Sequence, residues 1–162
     1  MRLVELDVAG LRLARTVGHT ADAERMVRGY SRLGEHGVGW IALGLAGAAL
    51  DRRRRTRWRR AAAAVGAAYI ANQAVKFAVR RPRPVLAGLP PLMKTGSAYG
   101  FPSAHVACSA AAARGFAGLL PTGPLRLAAG AMAASRLYLG VHYPSDVLAG
   151  AALGAVIGGA AR

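Results

Sequence analysis

Apolar positions along the chain fall into two kinds of stretch. Over residues 3–33, Leu3, Leu6, Leu11, Leu13 and Val17 alternate with Arg12, Arg15, Arg25 and Arg28. That mixture predicts an amphipathic helix, weakened or broken at Gly10, Gly18 or Gly29, that lies on a membrane surface rather than crossing it. After residue 35 the pattern changes. Five runs, over roughly 36–50, 61–79, 104–120, 125–141 and 145–161, are apolar almost all round. Each approaches the roughly 17–20 residues needed to cross a hydrocarbon core. Arg runs, Pro pairs and a PTGP turn bound them. The expectation is an all-α polytopic membrane bundle of about five spanning helices plus an N-terminal surface helix. It forms one domain over 1–162, with an amphipathic segment at 1–35 and a catalytic bundle at 36–162. A soluble bundle would have to bury five such helices in 162 residues. Little polar surface would remain to cover them.

The connections differ in kind. Residues 121–124 make a tight turn, whereas 80–102 is long for a connection in so short a chain. Long connections in compact domains tend to be functional. Residues 51–60 read as a short loop with seven Arg. The chain is 54% hydrophobic yet carries a net charge of +15, which is consistent only if charged and apolar residues occupy separate blocks. A nucleic-acid binder would spread its Arg over amphipathic faces, so no nucleic-acid partner is expected. The seven-Arg loop is the strongest cytoplasmic signal in the chain. Placing it inside sends the 80–102 connection to the outer face of the plasma membrane. Residues 1–32 carry charges throughout and show no cleavable signal peptide. Cys108 reads as a small buried apolar residue. Gly150, Gly154 and Gly158 form a small-xxx-small stripe that predicts close packing, within the bundle or between copies in a homo-oligomer.

The unusual polar residues of the apolar half fall in three clusters. They are Lys76 with Arg83-Pro84, then Pro102-Ser103-Ala104-His105, then Ser135-Arg136 with His142 and Asp146. Charge inside an apolar run is costly without a partner. Three cations, Lys76, Arg83 and Arg136, face one local carboxylate, which points to an anionic ligand such as phosphate. His105 lies at a helix start, where Pro102 suits a first turn and Ser103 an N-cap. Free N–H groups near Ala104 and His105 would attract an anion. Asp146, four residues after His142, can accept from one imidazole nitrogen and leave the other aimed at a substrate. His19 and His36 read as structural, and Lys94 and Tyr99 as solvated loop residues. Asp146 is the sole carboxylate from residue 52 to the C-terminus. A hard metal site would lack oxygen ligands, so neither metal nor cofactor is expected.

These clusters resemble the three motifs of the type 2 phosphatidic acid phosphatase superfamily, K-x6-RP, PSGH and SR-x5-H-x3-D. The family is related in fold to vanadium haloperoxidases. All spacings match over residues 76–146, with Ala104 standing where the family usually has Gly. The resemblance implies that His142 is the nucleophile forming a phosphohistidine, that Asp146 orients it, and that His105 is the general acid. Lys76, Arg83 and Arg136 would bind phosphate, helped by Ser103 and the backbone N–H of Ala104. The implied partner is a lipid phosphate in the membrane. The short length, the Gly34–Gly37 stretch and the Ala/Arg-rich composition resemble short actinobacterial members. Some of these act on polyprenyl-linked phosphates, including decaprenylphosphoryl-5-phosphoribose in cell-wall arabinan synthesis. Undecaprenyl pyrophosphate, phosphatidylglycerol phosphate and phosphatidic acid are alternatives. A non-catalytic binder of anionic lipid would explain residues 52–60, but not two histidines and an aspartate at this spacing.

Overall fold

The computed structural model describes residues 3–161. Its helices are α1 (Leu3–Thr16), α2 (Ala21–Leu33), α3 (Val38–Leu50), α4 (Arg55–Val79), α5 (Ala104–Gly115), α6 (Thr122–Tyr138) and α7 (Pro144–Ala160). Single 3₁₀ turns at Glu35–Gly37 and Arg52–Arg54 flank α3. The all-α expectation holds across the described residues.

The N-terminal segment is two helices rather than one. Gly18 takes a left-handed φ of 72°, which only glycine adopts without cost, and ends the path of α1. Thr20 then caps α2, its Oγ1 accepting from Ala23 N at 3.2 Å. Gly10 and Gly29 stay inside their helices. Nor does α1 merely rest beside the bundle. Leu11 is fully buried, and Arg15 donates to the carbonyls of Pro90 (2.8 Å) and Tyr138 (3.2 Å).

The basic stretch 51–60 also departs from its reading as a loop. Asp51 accepts from Arg54 N (3.2 Å), Arg54 Nε (2.6 Å) and Trp58 Nε1 (3.2 Å), and α4 starts at Arg55. The physical reason is Trp58. Its buried ring packs on Phe116, with ring centroids 5.7 Å apart, and fills the space beside Gly47. Burying that ring draws the arginines around it into helix. The run at 104–120 is helical only to Gly115; the fully buried Phe116 follows, and Gly118 then takes a left-handed φ of 81°. The core also takes Ala61, Val65, Ala68, Ala111, Leu119 and Leu125, with Cys108 buried among them.

The glycine stripe settles how α5 meets α7. A Cβ at Gly150, Gly154 or Gly158 would overlap the carbonyl oxygens of Ser103, Ala107 and Ala111 respectively. The stripe is therefore occupied within the chain, which corrects its alternative use as a homo-oligomer contact. Close backbone approach of this kind is what small residues permit. Among the described residues one helical stretch, Arg52–Val79, is long and apolar enough to cross a membrane, while α7 is apolar but shorter. Lys76 near the end of α4, the start of α5, Arg136 in the last turn of α6 and Asp146 in the first turn of α7 gather at one end of the bundle.

Gly154→Leu is expected to lower the melting temperature in detergent by at least a few degrees. Overpacking of this kind costs about 1–3 kcal/mol. Oligomer size should stay unchanged. An unaltered melting temperature would count against the α5–α7 contact.

Candidate active site

The site grows from the start of α7. Pro144 opens the helix, and Asp146 falls at its third position, where Oδ2 accepts the Tyr143 N–H at 2.9 Å. That bond fixes the turn carrying His142. Nδ1 of His142 lies 3.4 Å from Asp146 Oδ2, close enough to face it but long for a hydrogen bond. Nε2 lies 3.2 Å from Arg83 Nη1. A guanidinium can only donate, so Nε2 must accept, and the ring proton must sit on Nδ1 facing Asp146. This is the tautomer in which a lone pair on Nε2 is available for attack.

Arg83 is held by the long connection. Its Nε donates to Ser97 O (2.8 Å) and its Nη1 to Val141 O (2.8 Å). The connection folds back on itself through Arg83 N to Ala98 O (3.2 Å) and Gly100 N to Arg81 O (2.8 Å). Tyr99 O accepts from Lys76 Nζ at 3.2 Å, so one loop positions two of the cations. Arg136 is 1% exposed; its Nε donates to Ser135 Oγ at 3.2 Å, while Nη2 has no partner. A buried donor left unsatisfied costs about 1–3 kcal/mol, more when charged.

A cavity of about 210 Å³ brings together Lys76, Arg83, Ala104, His105, Arg136 and His142. Asp146 and Ser103 stand behind this wall. Ser103 occupies the N-cap position of α5, but its hydroxyl makes no capping bond and is buried without a partner. Its backbone acts instead, N–H donating to Asp146 O (3.0 Å) and C=O accepting from Ala107 N (3.0 Å). Pro102 lies one residue outside the cap rather than in the first turn, and its carbonyl accepts from Asn72 Nδ2 at 3.1 Å. The first N–H groups of α5 have no intrahelical acceptor and open at the cavity end.

Two histidines read alike from sequence part company. His19 stacks on Tyr138 with ring centroids 4.0 Å apart and touches Glu24, a structural role. His36 lines the cavity, edge-on to Tyr69 at 5.4 Å, in a left-handed backbone with φ 53°. Lys94 also reaches the cavity lining, while Tyr99 contributes its carbonyl to Lys76 and its ring to Phe77.

Sequence reasoning missed Arg81, Asp7 and Ser145. Arg81, which the motif pattern leaves unspecified, turns inward. Its Nη1 donates to Asp146 Oδ1 (2.8 Å) and Ser145 Oγ (2.6 Å), and its Nη2 to Asp7 Oδ2 (2.7 Å). Asp7 also accepts from Ser145 N (2.8 Å) and Ser145 Oγ (2.5 Å). Burial would raise the Asp7 pKa, but Ser145 and Arg81 together hold it below the usual carboxylate value. The one available sign was that Asp7 sits a helical turn before Leu11, on the face that buries.

The PAP2 superfamily model matches residues 57–162. The decaprenylphosphoryl-5-phosphoribose phosphatase of Mycobacterium tuberculosis is 45% identical over 133 residues, 81% of this chain and 74% of that protein. Its namesake in Mycolicibacterium smegmatis is 40% identical over 123 residues, covering 76% and 68%. Among solved structures, the PAP2-type phosphatidylglycerolphosphate phosphatase of Bacillus subtilis superposes with a TM-score of 0.82 at 24% identity, covering 98% of this chain and 84% of that one. Aquifex aeolicus LpxE gives 0.83 at 22%, covering 96% and 94%. A bacterial vanadium-dependent iodoperoxidase gives 0.75 at 17%, covering 96% and 48%.

Burial, helped by the cations of Arg83 and Lys76, pushes the His142 pKa down to about 4 against the pull of Asp146. An ordinary histidine is about nine-tenths protonated at pH 5.5. His142 should still be neutral there, with its proton on Nδ1. Nitrogen-15 NMR of histidine-labelled protein, assigned with His142→Gln, reads this directly. A titration centred near the ordinary histidine value would contradict it.

Proposed function

This chain belongs to the PAP2 superfamily, and from that premise we propose that it hydrolyses a polyprenyl-linked phosphate, with decaprenylphosphoryl-5-phosphoribose the first candidate. The observation that carries the reading is one cavity wall shared by His142, with its Nε2 lone pair, and Arg136, whose buried Nη2 has no partner. The first suits a phosphorus electrophile, the second a phosphoryl oxygen. The names of the two mycobacterial relatives support the lipid class.

In the first half-reaction His142 Nε2 attacks phosphorus as the bond to the leaving alkoxide breaks. His105, protonated once the anionic substrate is bound beside it, gives that alkoxide its proton. Lys76, Arg83, Arg136 and the N–H of Ala104 hold the equatorial oxygens. Asp146 balances the charge on the phosphorylated imidazole. In the second half-reaction water attacks the phosphohistidine and gives a proton to His105. Inorganic phosphate leaves, and both histidines return to their starting states. The chemistry needs no metal.

We read α3 to α7 as the spanning helices. Outward-facing Leu45, Ile70, Phe77, Leu127, Leu148 and Val156 are exposed, as lipid-facing residues would be. The distance along α4 from its arginines to Lys76 is roughly 24–32 Å at 1.5 Å per residue, close to a hydrocarbon core of about 30 Å. Helices α3 and α5 are only about 20 Å long. The 3₁₀ turns beside α3 and the apolar turn at 116–120 extend them. With the Arg-rich start of α4 in the cytoplasm, the cavity opens on the outer side. Arg81, though on the outer side, does not oppose that orientation, since its charge is taken up by Asp7 and Asp146.

Purified protein should release phosphate fastest from the phosphoribosyl polyprenyl lipid in a panel that includes undecaprenyl pyrophosphate, phosphatidylglycerol phosphate and phosphatidic acid. Excess chelator should leave the rate unchanged. His142→Ala should abolish phosphoenzyme formation. His105→Ala should cost about 10²–10⁴-fold on the lipid and little on an aryl phosphate, whose leaving group needs no proton. Absence of phosphate release from every lipid would overturn the reading.

For orientation, a Cys108→Ala background carrying Ser97→Cys should react with an impermeant thiol reagent in intact cells, and one carrying Thr56→Cys should not. The reverse pattern would put the chemistry in the cytoplasm.

A further inference from the structure

We propose that Asp7 and Arg81 are positioning residues for the reaction, acting on His142 through Asp146, so that α1 is part of the active site. The inference rests on the phosphatase reading above and adds a set of residues that the three motifs do not contain.

Asp146 divides its two oxygens. Oδ2 faces His142 and accepts the Tyr143 N–H, while Oδ1 accepts from Arg81. With both oxygens engaged, the carboxylate plane cannot rotate away from the imidazole. An arginine on Oδ1 alone would also draw off the negative charge that a phosphorylated imidazole needs. Asp7 opposes that loss. It takes the other terminal nitrogen of the same guanidinium, and Ser145 ties the two together through its hydroxyl and its N–H. The trio Asp7, Arg81 and Asp146 then sums to one negative charge behind His142. Without Asp7 it would sum to zero. Asp7 is 2% exposed and Asp146 fully buried, so solvent and salt screen this arrangement weakly.

A purely structural role for the same residues is the competing account. Two features weigh against it. Arg15 and the buried Leu11 already anchor α1 to the bundle without touching Asp146. Arg81 also lies over the Tyr143 ring at 4.5 Å, beside the turn that carries His142. The network therefore converges on the nucleophile from both sides of one residue.

A kinetic double-mutant cycle separates the two accounts, with p-nitrophenyl phosphate as the probe and full-length protein in detergent. Asp7→Asn should lower kcat about tenfold, in the range of couplings within one buried network, while KM moves less than about twofold. In an Asp146→Asn background the same substitution should change kcat by less than about twofold, because its route to His142 is already cut. Leu11→Ala, which loosens α1 without touching the carboxylates, should act by the same factor in both backgrounds. Should Asp7→Asn fail to fold, Ser145→Ala carries the same test, since it removes only the hydroxyl joining Asp7 to Arg81. An equal loss in both backgrounds, or no loss at all, would reduce the network to a structural clamp. A wild-type protein inactive on p-nitrophenyl phosphate and on every lipid would overturn the phosphatase reading and this inference together. An active wild type without coupling would overturn this inference alone.

Discussion

Main-chain contact between α5 and α7 governs where every reacting group can stand. Three glycines on α7 lie against the carbonyls of Ser103, Ala107 and Ala111, so the two backbones meet with no side chains between them. At the upper end of that seam the Ser103 N–H donates to the Asp146 carbonyl at 3.0 Å. One hydrogen bond thus links the N-cap residue of α5 to the carboxylate residue of α7. His105 and His142, which follow and precede those two residues, come to one cavity as a result. Small residues at all three positions are what lets the two backbones approach so closely.

The charge balance at that end is deliberately incomplete. Lys76, Arg83 and Arg136 meet a single motif carboxylate, and that carboxylate is already shared with Arg81. Backbone carbonyls of Tyr99, Ser97 and Val141 hold two of the cations in place without neutralising them. Arg136 keeps one donor with no acceptor. Such an arrangement suits an anion with several oxygens, as the proposed phosphate substrate would supply.

Helices were legible wherever the apolar pattern ran long, because an all-round apolar run has few alternatives to helix. Boundaries failed at two places. Trp58 pulled the arginines of 55–60 into α4, and the third run left the helix at Gly115, before the buried Phe116 and the left-handed Gly118. The positions of Lys76, Arg83, His105, Arg136 and His142 around one cavity follow from motif order and helix direction, both visible in sequence. Asp7 and Arg81 were not visible. Their contact joins residues 74 positions apart and depends on how α1 docks, which no local pattern encodes. His36 was missed for a related reason: its place on the cavity wall is set by the kink between α2 and α3, not by its neighbours.

The family match begins at residue 57, yet the cavity wall and the network behind His142 draw on residues before it. Glu35 and His36 line the cavity, and Asp7 reaches the guanidinium that holds Asp146. The portion shared across the superfamily is therefore not a self-sufficient module. A chimera that joined residues 57–162 to the first third of a distant relative would keep all three motifs intact. It would still lose the matched surfaces at which Asp7 meets Ser145, Gly10 meets Pro144 and Gly34 meets Met132. Exchange between relatives should succeed only when the two thirds of the chain travel with the first.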